Sequence, residues 1–268
     1  MFGRRPEATL VRGLSTMRAF MPFISPRRNE SLVYYTMEID PEPANAFIEE
    51  YNRTAPPERQ LTLFMLYLRS LAVALASRPH VNRFVAGGRL WQRKEVWLTF
   101  SAKMALEDGS PLVTVKRRFD QDASLDAMCE GIHARLSRRR GGAKTTSDNE
   151  MSLALRLPPS LIRLAVWALH KTNQLGLLPK KMIDDDPLFA SAFAANLGSV
   201  DMNAGYHHLW EYGTCSIFAM MGRIHTRLDG TRYFEMKYSY DERMADGLYA
   251  GITMEMIKEG VENPERLR

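Results

Sequence analysis

The segment from Leu61 to Ala76 constrains the fold more than any other part of this chain. Leu63, Met65, Leu66, Leu68, Leu71, Val73 and Leu75 leave a helix of this length almost no polar face. A helix that is apolar on nearly every side is buried. The segments around it carry a different signal. Residues 31–39 are rich in Val, Tyr and Thr and read as a strand, and 96–102, 112–119, 190–197, 214–223 and 233–240 read as further strands. Phe84-Val85-Ala86 and Leu90-Trp91-Gln92 flank Gly87-Gly88, a pair able to supply the positive φ of a tight hairpin. Helical patterns cover 43–52, 124–138, 153–178 (interrupted at Pro158-Pro159) and 245–260. These elements do not alternate strictly, so the pattern predicts an α+β fold with a mixed sheet covered by helices, not a doubly wound one.

The rest of the chain fits one domain with appendages. Residues 1–30, broken by Pro6, Pro22 and Pro26, read as an amphipathic N-terminal arm, and residues 141–150 as a polar loop. The chain has 268 residues, enough to bury a substantial core without disulfides. Its two cysteines, Cys129 and Cys215, are far apart in unlike contexts. That usage predicts a reducing, cytoplasmic setting and no metal site. The net charge of +5 is concentrated in the arm and at Arg135, Arg138, Arg139 and Arg140. A solvated arm and loop explain it most simply; a phosphate-bearing ligand or an acidic partner is the sharper alternative. No nucleic-acid motif accompanies the charge. No stretch reaches the roughly 20 apolar residues of a membrane span.

Three motifs, taken in order, carry a resemblance. Tyr34-Tyr35-Thr36-Met37-Glu38-Ile39-Asp40 precedes the helices; Ser191-Ala192-Phe193-Ala194-Ala195-Asn196-Leu197-Gly198 follows them; and Tyr238-Ser239-Tyr240-Asp241-Glu242-Arg243-Met244-Ala245-Asp246-Gly247 leads into a final helix and a tail with Pro264. His80-Val81-Asn82-Arg83-Phe84 stands where a Pro-x-Leu-Asn segment precedes a hairpin. Together these resemble the catalytic domain of the dihydrolipoyl acyltransferases of 2-oxo acid dehydrogenase complexes and, more distantly, chloramphenicol acetyltransferase. The likeness spans residues 31–268, with a helical insertion at about 142–187.

The resemblance implies a chloramphenicol-acetyltransferase-like two-layer fold, a homotrimer with sites between subunits, further assembly of trimers into a cage, and coenzyme A or an acyl-CoA as substrate. It implies that Glu242 occupies the place of the family's catalytic histidine, that Ser191 is the hydroxyl donor to the oxyanion, and that Asp246 fixes the loop through an ion pair with Arg18 or Arg28. No lipoyl-bearing domain precedes the core, so no covalently bound lipoyl group is expected and a separate acyl carrier would deliver the substrate. With glutamate in the histidine's place, two functions stay open: an acyltransferase with Glu242 as base, and a non-catalytic pseudoenzyme that serves as a scaffold.

Outside those motifs, Tyr206-His207-His208-Leu209-Trp210-Glu211-Tyr212 is the remaining unusual cluster. Adjacent histidines diverge on a strand or a helix, which makes them poor joint metal ligands. Packing is the simpler role, but His207, His208 and Asn196 are kept as candidate substrate-lining residues.

Overall fold

The computed structural model describes residues 5–103, 112–120, 122–141 and 152–268. The expected turn at Asp108-Gly109 and most of the expected loop at 141–150 lie outside them.

Six strands form the main sheet. They are β2 (Leu32–Ile39), β5 (Val96–Lys103), β6 (Leu112–Phe119), β7 (Ala192–Asn196), β8 (Ile217–Thr226) and β9 (Arg232–Asp241), in the spatial order β2-β9-β8-β7-β5-β6. β7 runs parallel to both β5 and β8, and the other pairings are antiparallel, so the sheet is mixed as expected. A second sheet of three strands, in the order β1-β4-β3, joins β1 (Ala8–Leu10) to the hairpin of β3 (Arg83–Ala86) and β4 (Arg89–Arg93). Gly87 and Gly88 form its turn at φ +60° and +67°, a region that L side chains rarely occupy.

The helices are α1 (Thr16–Ile24), α2 (Glu42–Asn52), α3 (Leu63–Ser77), α4 (Leu125–Arg140), α5 (Pro159–Gln174), α6 (Lys180–Asp185) and α7 (Gly247–Glu262). The side chains of Leu66, Leu68, Leu71 and Leu75 on α3 are almost wholly buried. They pack with Ala250, Met254 and Ile257 of α7 against one face of the sheet, where Ala192, Ala194, Ile217, Ala219, Tyr238 and Tyr240 point inward. α3 and α7 approach closely because Gly260 has no Cβ to meet Ser70, whose hydroxyl donates to the Ile257 carbonyl at 2.7 Å. The opposite face carries Phe193, Phe218 and Met220 and is covered by the irregular segment around Leu209 and Trp210.

Two expectations change. The N-terminal segment is not an arm throughout, since β1 pairs with β4 and Ser15 caps α1. The helix expected to reach Leu178 ends at Gln174, where the chain turns at Gly176 with φ +72°. Residues 205–210 are irregular.

Candidate active site at the end of strand β9

β2 and β9 are paired along their whole length, from Ile39 opposite Phe234 to Leu32 opposite Asp241. Where the ladder ends, the Glu242 amide donates to the Ser31 carbonyl at 2.9 Å and the chain turns into α7. The turn is held from both sides. Arg243 donates to Asp241 Oδ1 from Nε at 2.8 Å and to Oδ2 from Nη2 at 2.7 Å. Its Nη1 donates to the carbonyls of Ser25 and Pro26 at 2.8 and 3.0 Å. Arg28 places Nε 3.8 Å from Asp241 Oδ2, an ion pair too long for a hydrogen bond. Burial pushes the Arg28 guanidinium below its ordinary pKa, and the Asp241 carboxylate opposes that shift. Two buried cations therefore share one buried carboxylate, and their remaining donors go to backbone carbonyls, including those of Trp210 and Gly213.

The ion pair expected for Asp246 is not the one observed. Its Oδ1 accepts from the Tyr249 amide at 2.8 Å and caps α7. That bond holds its pKa below the usual carboxylate value. Arg28 serves Asp241 instead, and Arg18 donates to the Glu242 carbonyl at 2.6 Å. Asp246 thus caps the helix, and among the described residues it makes no ion pair with Arg18 or Arg28.

Glu242 sits half-buried in this turn, and its carboxylate has no hydrogen bond or ion pair among the described residues. Its field reaches Tyr240, whose hydroxyl is pushed to a higher pKa first by burial and then by Glu242 and Asp246. A basic group flanks the turn. The His80 ring stacks on Tyr249 at 4.6 Å, and the Arg78 guanidinium lies 3.9 Å from the Tyr249 ring centre. Burial, and then Arg83, lower the His80 pKa and favour the neutral imidazole.

Ser191 does not meet Glu242 within one protomer. It is 1% exposed, and its Oγ accepts from the Trp97 amide at 3.0 Å, where β5 and β7 begin to pair. Side chains alternate along a strand, so Ser191 and Asp241 share the outer face, whereas the field of Glu242 is felt at Tyr240, on the helix-covered face. Two strand spacings separate β7 from β9, about 10 Å. Asn196 lies at the far end of β7 and closes a turn by accepting from the Ser199 amide at 3.1 Å. His207 stacks on Phe218 at 4.1 Å and donates from Nδ1 to the His208 carbonyl at 2.7 Å, while His208 is exposed beside it. Glu211 is spent on the backbone, accepting from the amides of Arg28 and Asn29 at 3.0 Å each.

Among the described residues, no group of three His, Cys, Asp or Glu side chains is placed to hold a metal ion, and no helix is long and apolar enough to cross a membrane. A groove of about 380 Å³ lined by Asn82, Glu95, Arg118 and Asp120 does not include Glu242, Ser191 or Asp246.

Sequence reasoning missed the Arg28–Asp241–Arg243 cluster and the proximity of His80 to the turn. The Asp-x-Arg spacing of 241 and 243 was a legible signal for one ion pair. From the sequence, Arg28 is a candidate partner, with Arg18, only for Asp246 and not for Asp241.

No protein-family model matches the chain, and no curated protein does. Solved structures do match. A probable dihydrolipoamide acetyltransferase from Listeria monocytogenes 4b F2365 is 16% identical with a TM-score of 0.59, covering 94% of this chain and 94% of that one. The cubic core of a pyruvate dehydrogenase multienzyme complex is 14% identical with a TM-score of 0.60, covering 97% and 94%. A chloramphenicol acetyltransferase is 12% identical with a TM-score of 0.56, covering 95% and 99%. The fold is therefore the chloramphenicol-acetyltransferase-like α+β fold.

Proposed function

We propose that this protein is an acyltransferase that moves an acyl group between coenzyme A and a thiol or hydroxyl acceptor, with Glu242 as its general base. The observation that carries this reading is the uncommitted carboxylate of Glu242 on a turn whose other charged groups are all engaged. A rigid turn with one free base is suited to proton transfer. Glu242 takes the proton of the acceptor thiol, and the sulfur attacks the thioester carbonyl carbon. The tetrahedral oxyanion collapses, the bond to coenzyme A breaks, and the leaving thiolate recovers the proton from Glu242. Asp246 caps the helix that fixes the turn, and Ser191 is a positioning residue for the β5–β7 edge rather than an oxyanion donor within its own protomer.

The assembly in this reading is a homotrimer, with further association into a cage and a separate carrier for the acyl group. The outer sheet face, where Tyr34 and Tyr206 are about half exposed and meet edge to face at 4.9 Å, is the surface for a neighbouring protomer.

One observation favours a second reading, a non-catalytic scaffold. The hydroxyl of Ser191 is buried, its oxygen accepting from the Trp97 amide, and residues 241–247 include no histidine. A thiol-release assay with short-chain acyl-CoA donors and dithiol or hydroxyl acceptors separates the two. The enzyme reading expects turnover that falls at least 100-fold in Glu242→Gln, the lower end of the general-base range, with the circular-dichroism spectrum unchanged. Turnover that survives the substitution removes Glu242 from the mechanism. A complete lack of turnover in a well-folded discrete particle establishes the scaffold.

A further inference from the structure

Helices α1 and α5 both turn their apolar side chains outward. On α1, Met17, Phe20, Phe23 and Ile24 are exposed, Phe23 to 64%. On α5, Leu161, Leu164, Val166 and Trp167 are exposed, Trp167 to 58%. α5 is anchored only near its C-terminal end, where Asn173 is buried and accepts from Arg5 through its carbonyl at 2.7 Å. The two helices converge on one place. The turn of the β3–β4 hairpin touches both, with Gly88 against the Phe23 ring and the Gly87 amide donating to the Gln174 side chain. These eight side chains, each about half exposed or more, are spread over two helices whose C-terminal ends meet at the hairpin.

The two helices and the stretches flanking them carry charge of one sign, while Asp246 and the Glu242 turn lie beside Arg18 of α1. Between Glu7 and Glu30 the sequence has no acidic residue, and between Met151 and Asp184 it again has none. Arg12, Arg156, Arg163 and Lys171 lie in these two stretches and are exposed. Apposed to a second copy of itself, the surface would bring like charges together, which penalises such pairing. Outward apolar rows with Phe and Trp, flanked by Arg and Lys and free of carboxylates, have the composition of helices that lie in the headgroup layer of an anionic bilayer.

We propose that α1 and α5 together form a docking surface for an anionic membrane, on which the protein lies peripherally without spanning. Phe20, Phe23, Leu164 and Trp167 enter the acyl boundary, while Arg163 and Lys171 meet lipid phosphates. The inference does not depend on the acyl-transfer reading.

Flotation of the full-length protein tests it, with phosphatidylcholine vesicles containing about 30 mol% phosphatidylglycerol against phosphatidylcholine alone. The protein should float with the anionic vesicles and stay at the bottom with the neutral ones. Phe20→Glu combined with Leu164→Glu should lower the bound fraction at least tenfold. Arg163→Glu combined with Lys171→Glu, which leaves the apolar rows intact, should lower it several-fold. All four positions are on the outside, and circular dichroism confirms that each variant is folded. Equal binding to both vesicle types, no binding to either, or variants that float like the parent overturn the proposal. An oligomer by light scattering that Leu164→Glu dissociates in the absence of lipid also overturns it and assigns the surface to a second copy of the chain.

Discussion

Asp241→Asn is the sharpest test of how the turn after β9 is held. The side chain is 1% exposed and is the only carboxylate paired with Arg28 and Arg243 among the described residues. Asparagine keeps the size and one acceptor oxygen, so little packing is lost. It removes the charge, leaving two guanidinium groups enclosed without a counterion. Breaking a buried pair from one side costs about 3–5 kcal/mol. Because Arg243 and Arg28 keep their bonds to backbone carbonyls, the lower end applies, about 3 kcal/mol. At about 2–4 °C per kcal/mol for a chain near this size, the melting temperature should fall by about 6–12 °C. Urea unfolding followed by circular dichroism measures the same loss as a lower midpoint at unchanged slope. Arg243→Met is the companion: it leaves Arg28 to pair with Asp241 and removes one buried charge, so its cost should be clearly smaller. A loss below 1 kcal/mol for Asp241→Asn, or a larger loss for Arg243→Met, would refute the view that one carboxylate neutralises both arginines.

Two further outcomes follow from buried polar groups elsewhere. Lys116 is enclosed, and its amine is pushed down to about 8, chiefly by burial and then by Arg93, while it donates to the Asp186 carbonyl at 3.0 Å. Between about pH 8 and the unfolded value of 10.5 the unfolded chain binds this proton and the folded chain does not. Stability therefore gains with rising pH across that window, and below pH 8 the full penalty stands, about 3 kcal/mol. The stability difference between the parent and Lys116→Met, measured by denaturation at pH 7.5 and pH 10, should shift by that order in the parent's favour at the higher pH; a constant difference would contradict the burial. Ser191→Ala leaves the buried Trp97 amide without its side-chain acceptor and should cost about 1–2 kcal/mol. If acyl transfer is found, its kcat should change less than the 10²–10³-fold expected on loss of an oxyanion donor.

The parts of this molecule legible in its sequence are those set by local pattern. A predominantly apolar stretch such as 63–77 is driven beneath a sheet, and Gly-Gly between two short apolar runs has one favoured turn. Asp246 before a helix was visible as a fixed point of the loop, but an N-cap and an ion pair demand the same residue type at nearly the same place, and only coordinates separate them. What the pattern left out depends on contacts far apart in the chain. Arg28 reaches Asp241 because β2 pairs with β9 in a register that sets Ser31 beside Glu242, and no periodicity within residues 1–30 encodes that register. The irregular segment at 205–210 depends on distant contacts in the same way. The Leu209 amide finds its partner in Asn29 and the carbonyls of Leu209, Trp210 and Gly213 find theirs in Asn29 and Arg28, instead of in a ladder. A buried backbone must be satisfied, but side chains from another element do it as well as a strand does. Arg28 thus helps close the outer sheet face and also pairs with Asp241 at the Glu242 turn. Substitutions that loosen residues 205–213 should therefore disturb the turn as well, even though that segment touches β9 only through its neighbours.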